Sequence, residues 1–297
     1  MSRNIENKEV LGGDMPIRTP FQMFWREIRK HPGAIVGVIM LTIIILSAVF
    51  AHVISPYDPV KPDYSVRLQP PGGDHLFGTD TMGRDVLTRI MYGGRISLWV
   101  GMISVGIAAT AGIVIGLMSG FFGGWTDEVL MRIMDMIMSM PSILLSLTII
   151  FTLGPGLVNV MIAIGVASIP SYARIVRGQV LAARDTPYVE AARAAGAGNV
   201  KIMFRHILPN VLAPVIVMAT LGLAGAILSV AALGFLGLGI SPPTPEWGVI
   251  ISDGRARLYD AWWIATFPGL AIMATVLATN LLGDGLRDSL DPRLRGR

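Results

Sequence analysis

The chain alternates long apolar windows with shorter polar segments. Six windows carry few charges and reach the roughly 20 residues that a helix needs to cross a bilayer. These windows cover residues 33–54, 97–120, 129–151, 157–176, 209–236 and 262–283. Since every backbone polar group in lipid must be bonded within its own segment, the pattern predicts an all-α membrane protein with six transmembrane helices.

Residues inside the windows suggest how these helices pack and bend. Arg132 and Asp135 lie three residues apart in the third window, a spacing that favours an ion pair on one helical face. In the second window, a repeat of glycine every four residues predicts close packing against another helix. Prolines, which can bend a helix, stand within spans three to six. The glycines are Gly112, Gly116 and Gly120, and the prolines are Pro141, Pro170, Pro214 and Pro268.

Composition supports the membrane class. Of the 297 residues, 53% are hydrophobic and only 15% are charged, whereas soluble domains carry about 25% charged residues. The chain has no cysteine, which excludes disulfides and thiolate metal sites. Its net charge of +4 is better explained by membrane topology than by nucleic-acid binding, because cytoplasmic loops of membrane proteins are enriched in Lys and Arg.

The basic residues also predict the orientation. With six spans, the N-terminal tail, the loop after span four and the C-terminal tail share one side, and together they hold sixteen Lys and Arg residues against seven on the other side. The positive-inside rule therefore predicts that both termini and the loop at 177–208 are cytoplasmic.

These assignments divide the chain into two regions. Residues 1–31 are expected to be a cytoplasmic tail with an amphipathic lead-in, and residues 32–297 the transmembrane domain. Apolar residues at helical spacing after position 84 predict that a helix, with its charges on the opposite face, leads into span two. Glycines and prolines interrupt the segment before the last span too often for it to cross the bilayer. Within the domain we expect an external loop at 55–96, the cytoplasmic loop at 177–208 and an external re-entrant segment at 237–261.

The cytoplasmic loop contains a polar helix–glycine–helix unit. Thr186 is a suitable N-cap residue, and Pro187 suits the first helical position. Gly196 can adopt the left-handed conformation that stops the first helix. Asn199 can cap a second short helix, which Pro209 is expected to close before the next span begins. The unit is predicted to bind something outside the membrane.

Sequence signals for catalysis and energy coupling are missing. No G-x-x-x-x-G-K-[ST] motif is present, and no two of the four histidines stand at metal-ligand spacing. We therefore expect no catalytic residue, no metal site and no cofactor in this chain. Ion-coupled carriers usually place ionisable residues deep within their spans, and these spans hold few. The energy source is expected to reside on another subunit.

The polar unit resembles the EAA motif of the membrane subunits of ATP-binding-cassette importers. In that family, three residues separate Glu-Ala-Ala from a glycine, and a Leu-Pro pair follows further on. The chain departs from the pattern at one position, where it has His206 in place of isoleucine. The matching residues are Glu190, Ala191, Ala192, Gly196, Leu208 and Pro209.

Three longer stretches resemble the dipeptide/oligopeptide/nickel branch of this family, and most of all its second, C-type permease subunit. The resemblance extends over residues 20–297. The stretches are FGTDTMGRDVLTRIMYGGRISL at 77–98, ALGFLGLGISPPTPEWGVIISDGR at 232–255 and NLLGDGLRDSLDPRLRG at 280–296.

The resemblance implies the fold of a type I importer permease in the bacterial inner membrane. It also implies a sister permease as heterodimer partner, two cytoplasmic ATPase subunits that bind ATP and Mg, and an external solute-binding protein. The six matched residues would then couple this chain to the ATPases. A cargo of dipeptides or oligopeptides is expected, and no nucleic-acid partner.

A peptide pathway would need hydrogen-bonding side chains on the spans. The candidates are Ser146, Thr148, Ser168, Ser171 and Thr220. Three alternatives remain open at this stage: a nickel permease of the same branch, a stand-alone channel or ion-coupled carrier, and an export or peptide-sensitivity system.

Overall fold

The structure is a computed structural model that describes residues 31–240 and 242–290. The tail and amphipathic lead-in predicted at 1–31 lie outside the described residues, apart from His31, and stay a prediction. Regular structure in the described part is helical throughout, in agreement with the predicted all-α class.

Five helices are long and apolar enough to cross a membrane, and a sharply bent pair makes a sixth span if it is counted as one. The long helices are α1, α2, α5, α7 and α9, and the bent pair is α3 with α4. Short helical turns occur at Ala51–Ile54, Tyr64–Val66 and Arg255–Arg257. The helices are α1 Pro32–Val49, α2 Val86–Phe122, α3 Gly124–Met138, α4 Ser142–Leu153, α5 Leu157–Arg184, α6 Pro187–Ala194, α7 Asn199–Phe235, α8 Trp247–Gly254 and α9 Trp263–Leu290.

The third apolar window consists of two helices with a sharp bend between them, in agreement with the prediction that the proline within span three can bend its helix. Helices α3 and α4 meet at an angle of 89°. The break falls between Ser139, which ends α3, and Pro141, which precedes α4. Proline has no N–H for the helical hydrogen-bond ladder and disfavours helical backbone at the residue before it, so the chain bends there. The other three prolines lie inside continuous helices.

The glycine repeat of α2 is a packing surface, as predicted. A Cβ atom added to Gly116 would lie 2.6 Å from the Ala173 carbonyl oxygen and 2.6 Å from the Val176 Cβ atom. Gly112 and Gly120 approach Tyr172 and Val180 of α5 in the same way. The two helices are therefore in backbone contact along what we call the glycine seam, formed by Gly112, Gly116 and Gly120.

Ion pairs join α5 to α3. The Arg177 guanidinium donates two hydrogen bonds of 2.6 Å to the Asp127 carboxylate, and Arg174 pairs with Asp135 at 2.5 Å. The predicted pair between Arg132 and Asp135 is wrong, because packing of α5 beside α3 brings Arg174 to the aspartate. Arg177 binds in the two-pronged geometry that guanidinium and carboxylate groups favour.

The helix predicted to lead into span two is present, and it is one piece with that span. Helix α2 begins at Val86, so the loop after α1 ends about ten residues earlier than the predicted 55–96. The Asp85 carboxylate caps this start, because it accepts hydrogen bonds from the Thr88 N–H at 2.7 Å and the Thr88 hydroxyl at 2.6 Å. His75 lies 3.0 Å from the same carboxylate.

The charges at the start of α2 are buried, although the sequence pattern predicted a polar outer face. The Asp80 side chain is fully buried and accepts a 2.7 Å hydrogen bond from Arg84 and another from Arg89. Both arginines also contact Asp253 at the end of α8, at 3.4 and 3.3 Å. This ionic cluster (Asp80, Arg84, Arg89 and Asp253) joins the loop before α2 to the segment before α9.

The segment predicted at 237–261 does not span, and its helix α8 is packed inside the bundle. The Glu246 carboxylate caps α8 by accepting hydrogen bonds from the Gly248 and Val249 N–H groups at 2.9 and 3.0 Å. The buried Trp247 donates its indole N–H to the Ile90 carbonyl of α2 at 2.9 Å. Helix α8 of the non-spanning segment is thus fixed to α2.

Replacing Asp80 with Asn should strongly destabilise the chain. Removing one partner from a buried ion pair leaves an uncompensated charge, which typically costs about 3–5 kcal/mol. Thermal unfolding of the purified protein in detergent measures the effect. Asp74→Asn is the matched control, because Asp74 is exposed in the same loop and surface changes usually stay within about 0.5 kcal/mol. Equal melting temperatures for the two variants would contradict a structural role of the ionic cluster.

Candidate functional site

A helical hairpin projects between α5 and the apolar part of α7. It consists of α6, a short turn and the first turns of α7, and we call residues 187–207 the elbow hairpin. Helix α5 continues to Arg184, so the irregular part of the predicted loop at 177–208 is shorter than expected.

Gly196 makes the sharp turn between the two arms. It has a φ of +82°, a region that costs other L-residues about 1–2 kcal/mol. Its N–H donates to the Arg193 carbonyl at 3.0 Å, and the Ala197 N–H donates to the Ala192 carbonyl at 3.0 Å. This pair of hydrogen bonds is a Schellman motif, which satisfies carbonyls at the end of α6. The left-handed stop predicted at Gly196 is therefore present.

One of the two predicted caps is confirmed in position and the other is shifted by one residue. Thr186 is the N-cap residue of α6, as predicted, but its hydroxyl donates back to the Ala183 carbonyl at 2.5 Å and makes no capping hydrogen bond. Pro187 nevertheless occupies the first turn, where its fixed φ suits a helix start. Gly198, and not Asn199, is the N-cap of α7, and Asn199 is the first helical residue.

Pro209 does not close the second arm, contrary to the sequence prediction. Residues Ile202–Ile207 form a π-helical segment, in which the Leu208 N–H donates to the Met203 carbonyl five residues back. This wider turn lies immediately before Pro209, whose ring would clash with a carbonyl in a regular helix. The arm consequently continues into the apolar helix, and α7 runs for 37 residues without a stop, about 1.5 Å of rise for each residue.

The hairpin has its own buried contacts with the bundle. Val189 of α6 is fully buried, together with Ile202 and Ile207 of α7. The same hydrophobic cluster includes Val176 and Val180, which also contact the glycine seam of α2. The hairpin is thus an anchored element and not a loose loop.

The structure brings four of the six motif residues together on the hairpin and places the other two on α7. Glu190, Ala191 and Gly196 are exposed, and Ala192 is half-buried. On α7, Leu208 is half-buried and Pro209 exposed. Next to the hairpin, Arg184 forms an ion pair with Asp185 at 3.4 Å. The Glu190 carboxylate is not part of this pair and is exposed. Exposed small side chains beside one exposed carboxylate are suited to docking against another protein.

Sequence reasoning missed an open groove of about 430 Å³ between the arms of the hairpin. We call it the basic groove, because small residues form one wall and basic side chains the other. Its signal in the sequence is the spacing of Lys201 and Arg205, which places them on one face of a helix. The lining residues are Ala192, Ala195, Gly196, Ala197, Gly198, Lys201, Arg205 and His206.

The five pathway candidates lie on α4, α5 and α7. Ser146 is buried at the contact of α4 with α5, where it donates to the Ala163 carbonyl at 3.3 Å. Thr148, Ser168 and Thr220 donate to carbonyls of their own helices, and Ser171 is exposed on α5. The role of these residues in a pathway stays a prediction.

Within the described ranges, no group of three His, Asp or Glu side chains is arranged to hold a metal ion. The elbow hairpin exposes small side chains, one carboxylate and several cations.

Two protein families match the chain. Residues 112–296 match the family described as "Binding-protein-dependent transport system inner membrane component". Residues 19–71 match "N-terminal TM domain of oligopeptide transport permease C". The first match contains the elbow hairpin, and the second contains α1.

Curated relatives align over nearly the whole chain. The dipeptide transport system permease protein DppC of Escherichia coli K12 is 47% identical, with 99% of this chain and 100% of the relative covered. The di/tripeptide transport system permease protein DppC of Pseudomonas aeruginosa is 45% identical over 93% of each. A putative peptide transport system permease protein of Brucella abortus is 47% identical over 94% of each.

Among solved structures, an inward-facing form of the MetNI methionine ABC transporter has a similar chain, with a TM-score of 0.56. The identity is 21%, and the alignment covers 68% of this chain and 96% of that one. This similarity confirms the predicted importer-permease fold. With the family match over residues 112–296 and relatives at 45–47% identity, the chain belongs to the family of inner membrane components of binding-protein-dependent transport systems.

Proposed function

We propose that this chain is the permease subunit of an ATP-driven, binding-protein-dependent importer of dipeptides or oligopeptides. The observation that carries the proposal is the continuity of the elbow hairpin with α7. An exposed docking surface at one end of an unbroken 37-residue helix can pass a displacement directly to a membrane span. Family membership and the peptide-transport names of the relatives support the class and the cargo.

The remaining parts of the transporter follow from this role. The chain pairs with a sister permease, and two ATPase subunits bind ATP and Mg and dock on the elbow hairpin. An external solute-binding protein delivers the cargo. The system resides in the bacterial inner membrane, and both termini and the hairpin face the cytoplasm, where the excess of basic residues is expected.

The motif residues have separate roles in this proposal. Ala191 and Ala192 have small side chains, so that the ATPase can approach the α6 backbone closely. Glu190 meets a basic group of the ATPase through a charge-assisted hydrogen bond. Gly196 sets the angle between the arms, while Leu208 and Pro209 connect the hairpin to the span. Ser146, Thr148, Ser168, Ser171 and Thr220 remain the candidates for contact with the peptide.

Uptake into proteoliposomes tests the function and its alternatives. The complete transporter, purified through a tag on this chain, should take up a labelled dipeptide only when ATP and the solute-binding protein are supplied. Excess unlabelled dipeptide should abolish the signal, whereas nickel should not. Uptake of nickel instead of peptide would identify a nickel permease, and ATP-independent transport by the isolated chain would identify a channel or carrier.

A pair of substitutions at Gly196 tests the role of the hairpin. Gly196→Val should reduce uptake by about tenfold or more, because a β-branched residue is a strong outlier at positive φ. Gly196→Asn should retain most activity, since asparagine tolerates the left-handed region. Membrane content and melting temperature of both variants serve as controls. If the valine variant is present in the membrane and transports as well as the asparagine variant, the hairpin does not couple transport to ATP.

A further inference from the structure

The basic groove presents unpaired positive charge beside the motif surface. Lys201 and Arg205 are both exposed, and neither belongs to the ion pairs found among the described residues. They stand one helical turn apart and therefore face the same side of α7. Of the charged residues between 187 and 208, Glu190 is the single carboxylate, and it does not line the groove.

Gly198 is the N-cap of α7, and it also leaves space in this groove. Its φ of −69° and ψ of 157° suit any residue, unlike the positive φ of Gly196. A Cβ atom added to Gly198 would meet nothing within 4 Å. Glycine is suited to the N-cap position, whereas neither a positive φ nor a tight internal contact requires it there. What the missing side chain provides is room beside two cations.

We propose that the basic groove receives an acidic side chain of the ATPase partner, an inference that rests on the proposed function. A carboxylate in the groove would accept charge-assisted hydrogen bonds from Lys201 and Arg205, and Gly198 lets the acidic side chain approach the backbone. The docking surface then combines a negative contact at Glu190 with a positive contact in the groove. Two contacts of opposite sign fix the orientation of docking and reject a reversed or mismatched partner.

The shape of the groove favours a protein over an anionic lipid surface. The groove is concave, and its lining has no apolar side chain larger than alanine. Peripheral lipid contacts typically use a convex helical face whose basic residues flank large apolar side chains. Phe204 and Val200 are exposed on α7 but do not line the groove.

Charge reversal in the groove tests the proposal. The transporter carrying Lys201→Glu with Arg205→Glu is purified in detergent through a tag on this chain, and the retained ATPase is measured as the salt concentration rises. The affinity for the ATPase should fall by about tenfold for each charge-assisted hydrogen bond that the substitutions remove. Arg287→Glu is the control, because Arg287 is an exposed cation of α9 outside the groove, and its ATPase retention should match wild type.

The outcomes separate this inference from the proposed function. If the wild-type chain retains no ATPase, the proposed function fails and the inference with it. If the wild type and the double variant retain equal amounts of ATPase, the inference alone is overturned. If ATPase retention is equal but the double variant loses binding to vesicles of anionic lipid, the groove is a lipid site and the inference is likewise overturned.

A second variant avoids any change of charge. Gly198→Leu fills the groove and should lower ATPase retention by about tenfold, while the melting temperature falls only slightly, because leucine is a poorer N-cap than glycine. Gly178→Leu is the matched control, because Gly178 is exposed on α5 and an added Cβ there also meets nothing within 4 Å. Equal ATPase retention by the two leucine variants would show that no partner enters the groove at Gly198.

Discussion

The fold of this chain depends on the backbone contact between α2 and α5 at the glycine seam. Where Gly116 meets Val176, even one methyl group would lie 2.6 Å from its neighbour, so a larger residue would push the helices apart. Close approach lets the valines of α5 contact the glycines on one side and the hairpin core at Val189 on the other. The Arg184 guanidinium adds a 3.1 Å hydrogen bond to the Gly120 carbonyl. The seam therefore sets the position of the elbow hairpin as well as that of the spans.

Charges stabilise the fold at both ends of α2 by pairing across elements. At the start of α2, Asp80 and Asp253 pair with two arginines that would otherwise be costly to bury. Beyond its other end, Asp127 of α3 pairs with Arg177 of α5. Two of the three stretches that resemble one branch of the importer family, 77–98 at the start of α2 and 232–255 around α8, meet in the ionic cluster. There, Arg84 and Arg89 each contact Asp80 and Asp253. Their distinctive residues thus have a structural explanation, which is to hold the non-spanning segments against the bundle.

Features that depend on one residue or on composition could be predicted from the sequence. Features that depend on a contact with a residue far away in the chain could not. Gly196 was predictable because its backbone conformation is a local requirement, and the membrane helices because their apolar residues outnumber the charges. The burial of Arg89 was not predictable, since charges at helical spacing look the same whether solvent or a folded loop covers them. The partner of Asp135 depends on the packing of α5, and the continuity through Pro209 depends on a π-helical turn. The basic groove was not predictable, because it depends on the angle between the two arms of the hairpin, and the hydropathy pattern does not specify that angle.

Taken together, the glycine seam, the ion pairs of α5 and the unbroken α7 make the elbow hairpin and the bundle one rigid unit. Double electron–electron resonance between nitroxides at Phe204→Cys and Phe122→Cys tests this rigidity most directly, because the chain has no native cysteine and both sites are exposed. Phe204 lies on the elbow hairpin but outside α6 and the basic groove. In the assembled, transporting complex, the distance distribution should be the same in the nucleotide-free and ATP-bound states. A shift of that distance distribution on binding ATP would contradict the rigid connection, because the hairpin would then move relative to the helix bundle.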